Sequence, residues 1–345
     1  MHIRDVLGSE LPIIQAPMAG AQGSALAIAA CGAGALGSMP AALVAPDVLR
    51  DELTTIRAAT SQPYNVNFFC HSLPVVRPER EAAWRTLLAP YYAELGLDPD
   101  AIHSGPTRAP FSHELADVVE PFRPRVVSFH FGLPAADLVA RVRGWGSRII
   151  ASATTVDEAR WLDEHGVDTI IAQGAEAGGH RGMFLTSDIA TQIGTFALVP
   201  QIVAAVRVPV IAAGGIADAR GVRAALALGA SAVQVGTAYM LCPEATTSIV
   251  HRAALSSDGA RHTALTNLFS GRPARGIVNR VMRDLGPMSA VVPEFPLAST
   301  ALAPLRAAAE AAGKGDFSPL WSGQNASGCR ASPAADITRE LANGL

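Results

Sequence analysis

Short apolar runs that alternate with stretches of helical spacing constrain this chain most. Runs at 12–20, 34–38, 64–69, 126–130, 148–152, 169–173, 209–216 and 232–237 read as strands, several of them ending in Gly, Pro or a polar residue. Helical patterns at 24–30, 46–58, 111–119, 134–143, 156–165, 195–206 and 218–228 stand between them. Such alternation signals parallel βα units. Eight of them joined by right-handed crossovers predict an α/β fold, a (β/α)8 TIM-type barrel. A doubly wound open sheet is the alternative. Residues 1–255 are assigned to the barrel, and 345 residues leave room for an appendage.

The rhythm breaks between 70 and 110, where Pro74, Pro78, Pro90, Pro99, Pro106 and Pro110 surround a helical piece near 81–95. That length predicts an inserted capping excursion after the third strand. From about 256 the pattern loosens into a loop at 267–276, an Ala-rich helix at 300–312 and a polar-aromatic turn at 319–324. Residues 256–345 therefore read as a C-terminal cap over the barrel mouth.

The sixth strand runs into Gln173-Gly174-Ala175-Glu176-Ala177-Gly178-Gly179-His180-Arg181-Gly182. Its glycines allow positive φ and close approach of backbone to a bound group. A histidine delivered there stands at the carboxyl end of a barrel strand, where this fold keeps its chemistry. Further on, Gly214-Gly215 ends the seventh strand before a helix, and Gln234-Val235-Gly236-Thr237 ends the eighth. Neighbouring loops of this kind can hold one phosphate. No Walker A motif and no early GxGxxG occurs, so the phosphate is expected to belong to a flavin mononucleotide or a phosphorylated substrate.

Charge sets the remaining limits. The formal net charge is -3 with 17% charged residues, and basic residues are scattered, which excludes a nucleic-acid surface. Apolar stretches such as 202–213 are interrupted, there by Arg207 and Pro209, so no membrane span is expected. The beginning Met1-His2-Ile3-Arg4-Asp5 lacks a signal-peptide pattern, which predicts a cytoplasmic protein. Cys31, Cys70, Cys242 and Cys329 are widely spaced, without CxxC, and read as reduced thiols. Cys70 and His71 have no metal-site partners in the sequence, and His103 and His113 read as solvated.

Taken together, Gln15-Ala16-Pro17-Met18-Ala19-Gly20, Gly174 to His180, Ala213-Gly214-Gly215-Ile216 and Gln234-Val235-Gly236-Thr237 resemble the nitronate monooxygenase family, formerly 2-nitropropane dioxygenases. The match spans about 12–241, and the tail segments 270–276 and 320–324 also look like those of the bacterial class. The resemblance implies a barrel holding FMN non-covalently. It implies oxidation of alkyl nitronates, such as propionate 3-nitronate, by O2 to a carbonyl compound and nitrite. Carried over, Asn67 and Gln173 would contact the flavin ring region, Met18 would pack near it, and Gly178 would lie close to the cofactor. Gly214, Gly215, Gln234, Gly236 and Thr237 would cradle the phosphate. His180 would be the active-site histidine and His130 a second one near the substrate. The implied partners are a small nitronate and O2, with a homodimer permitted and no metal.

The residue chemistry agrees with those roles. An imidazole titrates near neutral pH and can bond a nitronate anion or take the α-proton of a nitroalkane. Side-chain amides can donate to flavin carbonyl oxygens. Plain alternatives stand beside each: a core histidine for His130, a helix cap for Asn67, ordinary packing for Met18, and a structural acceptor for Glu176, which we prefer. Arg181 could add positive charge, and Arg272, Arg275 and Lys314 are candidate cations for a substrate carboxylate by position. An FMN-dependent NAD(P)H reductase of the same superfamily, such as an enoyl-(acyl-carrier-protein) reductase or a quinone reductase, would share the glycine loops and the histidine. A non-redox phosphate-binding barrel or a flavin-sensing protein would lack the flavin chemistry.

Overall fold

The computed structural model describes residues 3–99 and 108–345. Met1, His2 and residues 100–107 of the proline-rich excursion, His103 and Pro106 among them, lie outside the described residues.

Eight parallel strands form the core: β1 (Ile13–Gln15), β2 (Gly37–Pro40), β3 (Tyr64–Phe69), β4 (Val126–His130), β5 (Arg148–Ala153), β6 (Thr169–Gln173), β7 (Val210–Ala213) and β8 (Ala232–Val235). Each pairs with its sequence neighbour from β2 through β8, and β1 lies beside β8. A parallel bridge from Ile14 to Leu36 joins β1 to β2 and closes the ring. The sheet is therefore a barrel and not the open alternative. Buried residues at nearly every strand position reflect burial on both faces, inside by the barrel filling and outside by the helices.

The helices follow their sequence signals. Pro46 opens helix Pro46–Ala59, whose Leu49, Leu53 and Ile56 point inward at helical spacing. Asp218 caps helix Ala219–Ala227 by accepting from Gly221 N at 2.8 Å. The described connections begin and end within a few residues of expectation. Two differences matter for the site. The eighth strand stops at Val235, so Gly236 and Thr237 lie past its end, where a short 3₁₀ turn begins. Residues 274–276 do not form a loop: Ala274–Ile277 is a strand, paired with Thr263–Thr266 and with the two-residue strand Gly179–His180.

A second apolar cluster lies apart from the barrel core. Helix Pro78–Glu94 of the excursion brings Trp84, Leu88 and Tyr92 against Leu302 and Leu305 of helix Ala298–Ala311 and against Phe317. Trp84 Nε1 donates to Ala298 O at 3.2 Å, and Tyr92 Oη donates to Ala301 O at 2.6 Å. These bonds satisfy the polar ends of rings that are otherwise buried. The final helix, Ala334–Leu341, instead packs on the barrel exterior, against helices Ser24–Gly32 and Ala219–Ala227. Its Thr338 shares a buried hydrogen bond of 2.9 Å with Tyr239. No described helix is long and apolar enough to cross a membrane.

Candidate active site

Strand register levels the carboxyl ends of the barrel. Gln173 stands beside Ala213, Ala213 beside Gln234, and Asn67 beside Ser128. The loops that leave this rim enclose a cavity of about 270 Å³. Met18, Asn67, His130, Gln173, Gly178, His180, Gly214, Gly215, Gln234, Gly236 and Thr237 all line it. The structure thus brings these eleven residues together around one cavity.

One end of the cavity is backbone-rich. Gly214 has φ 123° and Gly215 φ 71°, conformations in which a side chain is strained. A Cβ on Gly214 would also meet Thr195 Oγ1 at 2.7 Å. The tail crosses this end. Gly323 N donates to Thr237 Oγ1 at 3.0 Å, Gln324 N to Glu176 O at 2.9 Å, and Asn325 Nδ2 to Gly215 O at 2.9 Å. Gly178 lies so close beneath it that a Cβ would come within 2.5 Å of Gly323 N. Among the described residues no aspartate or glutamate lines the cavity. A glycine cradle and a hydroxyl, free of carboxylates, fit the phosphate of a mononucleotide.

The first loop is held by a buried amide pair. Gln22 Oε1 accepts from Gln15 Nε2 at 2.7 Å and from Met18 N at 3.0 Å. Asn67 lies inside β3 and donates through Nδ2 to Ser128 O at 3.2 Å and Ser128 Oγ at 3.0 Å. It caps no helix. Gln173 bonds at both ends of its amide, giving Nε2–H to His180 O at 2.9 Å and accepting from Gly182 N at 2.7 Å. It therefore shapes the histidine loop as well as lining the cavity.

His180 is placed by that loop and by the pairing of its short strand with Ala274–Ile277. Its Nε2 lies 2.8 Å from Ser270 Oγ. Trp321 and Phe295 stand with ring centroids 5.4 Å away, and Phe69 and Phe131 a little further. Burial first, then the nearby charge of Arg108, holds the imidazole well below its ordinary pKa. It is neutral at pH 7. His130 has both ring nitrogens engaged, Nδ1 with Ser152 Oγ at 3.1 Å and Nε2 with His180 O at 3.2 Å. Burial lowers its pKa to about 4.

The arginines divide sharply. Arg181 is fully buried and faces away from the cavity, donating to Gln192 Oε1 at 2.8 Å, Gly174 O at 2.7 Å and Gln173 O at 2.6 Å. Its charge holds the loop together. Arg275 is likewise occupied by Ala175 O at 2.8 Å and Thr263 Oγ1 at 3.2 Å. Lys314 does not line the cavity. Arg272 stacks over Phe131, its Cζ 4.2 Å from the ring centroid. Glu176 is a structural acceptor, taking Thr195 N at 2.8 Å and Thr195 Oγ1 at 2.7 Å at the start of the following helix.

Sequence reasoning missed the roles of Ser270, Trp321 and Arg108. The segments 270–276 and 320–324 carried a signal, through their resemblance to known tails, but no partner could be named for them. Arg108 had none, since it stands at the end of an excursion without a motif.

Comparison with known proteins places this geometry. A family model described as nitronate monooxygenase matches residues 2–344. The nitronate monooxygenase of Pseudomonas aeruginosa is 43% identical, with 99% of this chain and 97% of that protein covered. That of Paraburkholderia phytofirmans is 42% identical, with 99% and 93% covered. The structure is similar to that of a nitroalkane oxidase from Streptomyces ansochromogenes, with a TM-score of 0.88, 37% identity, and 99% and 96% coverage.

Proposed function

The chain belongs to the nitronate monooxygenase family, and from that premise we propose that it oxidises alkyl nitronates, such as propionate 3-nitronate, using FMN and O2, to a carbonyl compound and nitrite. One observation carries the reading: a half-buried, neutral His180 shares one cavity, lined by no described carboxylate, with the glycine cradle of Gly214, Gly215, Gly236 and Thr237.

In this reading Gly214, Gly215, Gln234, Gly236 and Thr237 hold the phosphate of FMN, and Met18, Asn67, Gln173 and Gly178 line its ring. Bound FMN supplies the electron-accepting chemistry and the route to O2. The protein does the rest. A neutral imidazole can accept the α-proton of a nitroalkane or donate its N–H to a nitronate oxygen. Ser270 orients that ring, and the aromatic side chains around it exclude water and strengthen each polar contact. His130 is a positioning residue: its bond to the His180 carbonyl fixes the backbone that delivers the imidazole. The part of residues 256–345 that precedes the final helix acts as a cap, with Gly323 and Asn325 bound to the phosphate loops.

The test is to load the protein with FMN, remove oxygen, and add propionate 3-nitronate or NADPH separately. Bleaching of the flavin by the nitronate, with nitrite formed once air is admitted, is expected. Bleaching by NADPH with no response to the nitronate would replace this reading with the reductase.

A further inference from the structure

Behind the loop that carries His180 lies a carboxylate that does not line the cavity. Glu158 is fully buried in helix Val156–Glu164, and Thr155-Val156-Asp157-Glu158 has the spacing of a capping box. Thr155 plays its part, accepting from Glu158 N at 3.2 Å. The Glu158 side chain turns elsewhere. Its Oε2 accepts from Thr154 N and Thr154 Oγ1, both at 2.7 Å, and its Oε1 from Phe184 N at 2.6 Å and Leu185 N at 3.3 Å. A cap for its own helix needs neither of the last two.

Phe184 and Leu185 end the stretch that begins at His180. The His180 carbonyl is held by Gln173, Gly182 lies so close to His130 that a Cβ would come within 2.9 Å of its Cε1, and Phe184 packs on Gly132 and Trp161. Glu158 thus fixes the far end of a segment whose near end delivers one imidazole and whose middle presses on the other.

The carboxylate is also one end of a directed chain. Arg181 Nε donates to Gln192 Oε1 at 2.8 Å, Gln192 Nε2 to Thr154 Oγ1 at 3.0 Å, and Thr154 Oγ1 to Glu158 Oε2 at 2.7 Å. Every donor points from the buried guanidinium toward the buried carboxylate. Bonds aligned in this way polarise one another where water is excluded. Neither charge is easily buried alone, and the two uncharged side chains between them let each serve as the other's counter-ion. Burial and the neighbouring Arg275 pull the Arg181 pKa down to about 10, and Glu176 and Glu158 oppose them.

We propose that Glu158 is a positioning residue for His180 and His130, acting as the relayed counter-charge of Arg181 through Gln192 and Thr154. Together the two charges bracket the histidine loop. Arg181 grips its start through the carbonyls of Gln173 and Gly174, and Glu158 grips its finish through two backbone N–H groups. Turnover as a readout rests on the nitronate reading; the placing of the rings does not.

The experiment uses the FMN-loaded protein as wild type, Glu158→Gln, Thr154→Val and Thr154→Ser. Glutamine keeps the shape of Glu158 but turns an NH2 toward N–H donors, valine deletes the hydroxyl of the relay, and serine restores it. Per bound flavin, E158Q and T154V should lower kcat for propionate 3-nitronate about tenfold, with KM changed less than about twofold, and T154S should stay near wild type. With isotope-labelled histidine, the ring signals of His180 and His130 should move in E158Q and T154V and hold in T154S. In wild type, the Phe184 amide should exchange its hydrogen as slowly as the amides of β6. A folded E158Q or T154V with wild-type kcat and unmoved ring signals would overturn the proposal, and so would a T154S that shares the defect of T154V. A fast-exchanging Phe184 amide in wild type would overturn it whatever the folding of the variants. Ring signals that move in a protein turning over no nitronate would sink the reaction and leave the positioning standing.

Discussion

Nε2 of His180 stands 2.8 Å from Oγ of Ser270, a fully buried residue delivered by the C-terminal segment. The hydroxyl is itself held near the backbone of Arg272, with Oγ 3.4 Å from both its N and its O. An imidazole tied at one nitrogen has a fixed ring angle and presents its other nitrogen in one direction.

Ser270→Ala should therefore lower kcat about tenfold, the worth of one orienting hydrogen bond. The pH profile of kcat should move with it, because the ring loses the hydrogen bond that its Nε2 makes. A variant with normal flavin content and an unshifted profile would remove Ser270 from the mechanism. His180→Asn should cost more, on the order of a hundredfold or greater.

Arg181 predicts a stability effect without a catalytic contact. Arg181→Met leaves the carbonyls of Gln173 and Gly174 and the Gln192 amide oxygen without their donor. Orphaning such buried groups should cost about 3 kcal/mol in denaturant unfolding. A loss under 1 kcal/mol would show that the loop does not depend on this charge.

Acid should weaken the fold in a defined window. Burial pushes His71, His130 and His251 down to about 4. The unfolded chain binds these protons near pH 6.5, while the folded chain resists them until about pH 4. Their contribution is complete above 6.5 and is lost as pH falls toward 4. Each histidine makes the slope roughly 1.4 kcal/mol per pH unit inside that window. Unfolding midpoints at pH 7 and pH 5 measure it directly. Midpoints that do not fall at pH 5 would contradict the neutral state of these rings.

Gly178→Ala should separate the cap from the barrel. The added methyl would lie 2.5 Å from Gly323 N and 2.6 Å from the Ser322 carbonyl carbon, both backbone atoms that cannot swing aside. The tail must shift, and its bonds to Thr237, Glu176 and Gly215 shift with it. FMN affinity should drop about tenfold or more, seen as flavin lost on dialysis. Retention equal to wild type would show that the tail takes no part in holding it.

Local chemistry made the barrel and its rim legible. Strand, glycine turn and helix follow one another in sequence, so Gly214, Gly215 and His180 could be placed from their neighbours. What stayed hidden depends on partners far along the chain. Nothing near Gly179 announces that it pairs with Arg275, because a two-residue strand has no period of its own. Arg181 and Arg108 look alike in sequence. The first meets three carbonyl or amide oxygens and the second meets none through Nη1, a distinction made only by packing.

The helix Ala334–Leu341 rests on both Ser24–Gly32 and Ala219–Ala227, the outer helices on either side of the junction between β1 and β8. It works as a clasp over that junction. A nascent chain still short of that helix presents the apolar backs of both neighbours to whatever is nearby. A product cut just before that helix should therefore clump more readily than the full chain, although it holds all eight strands.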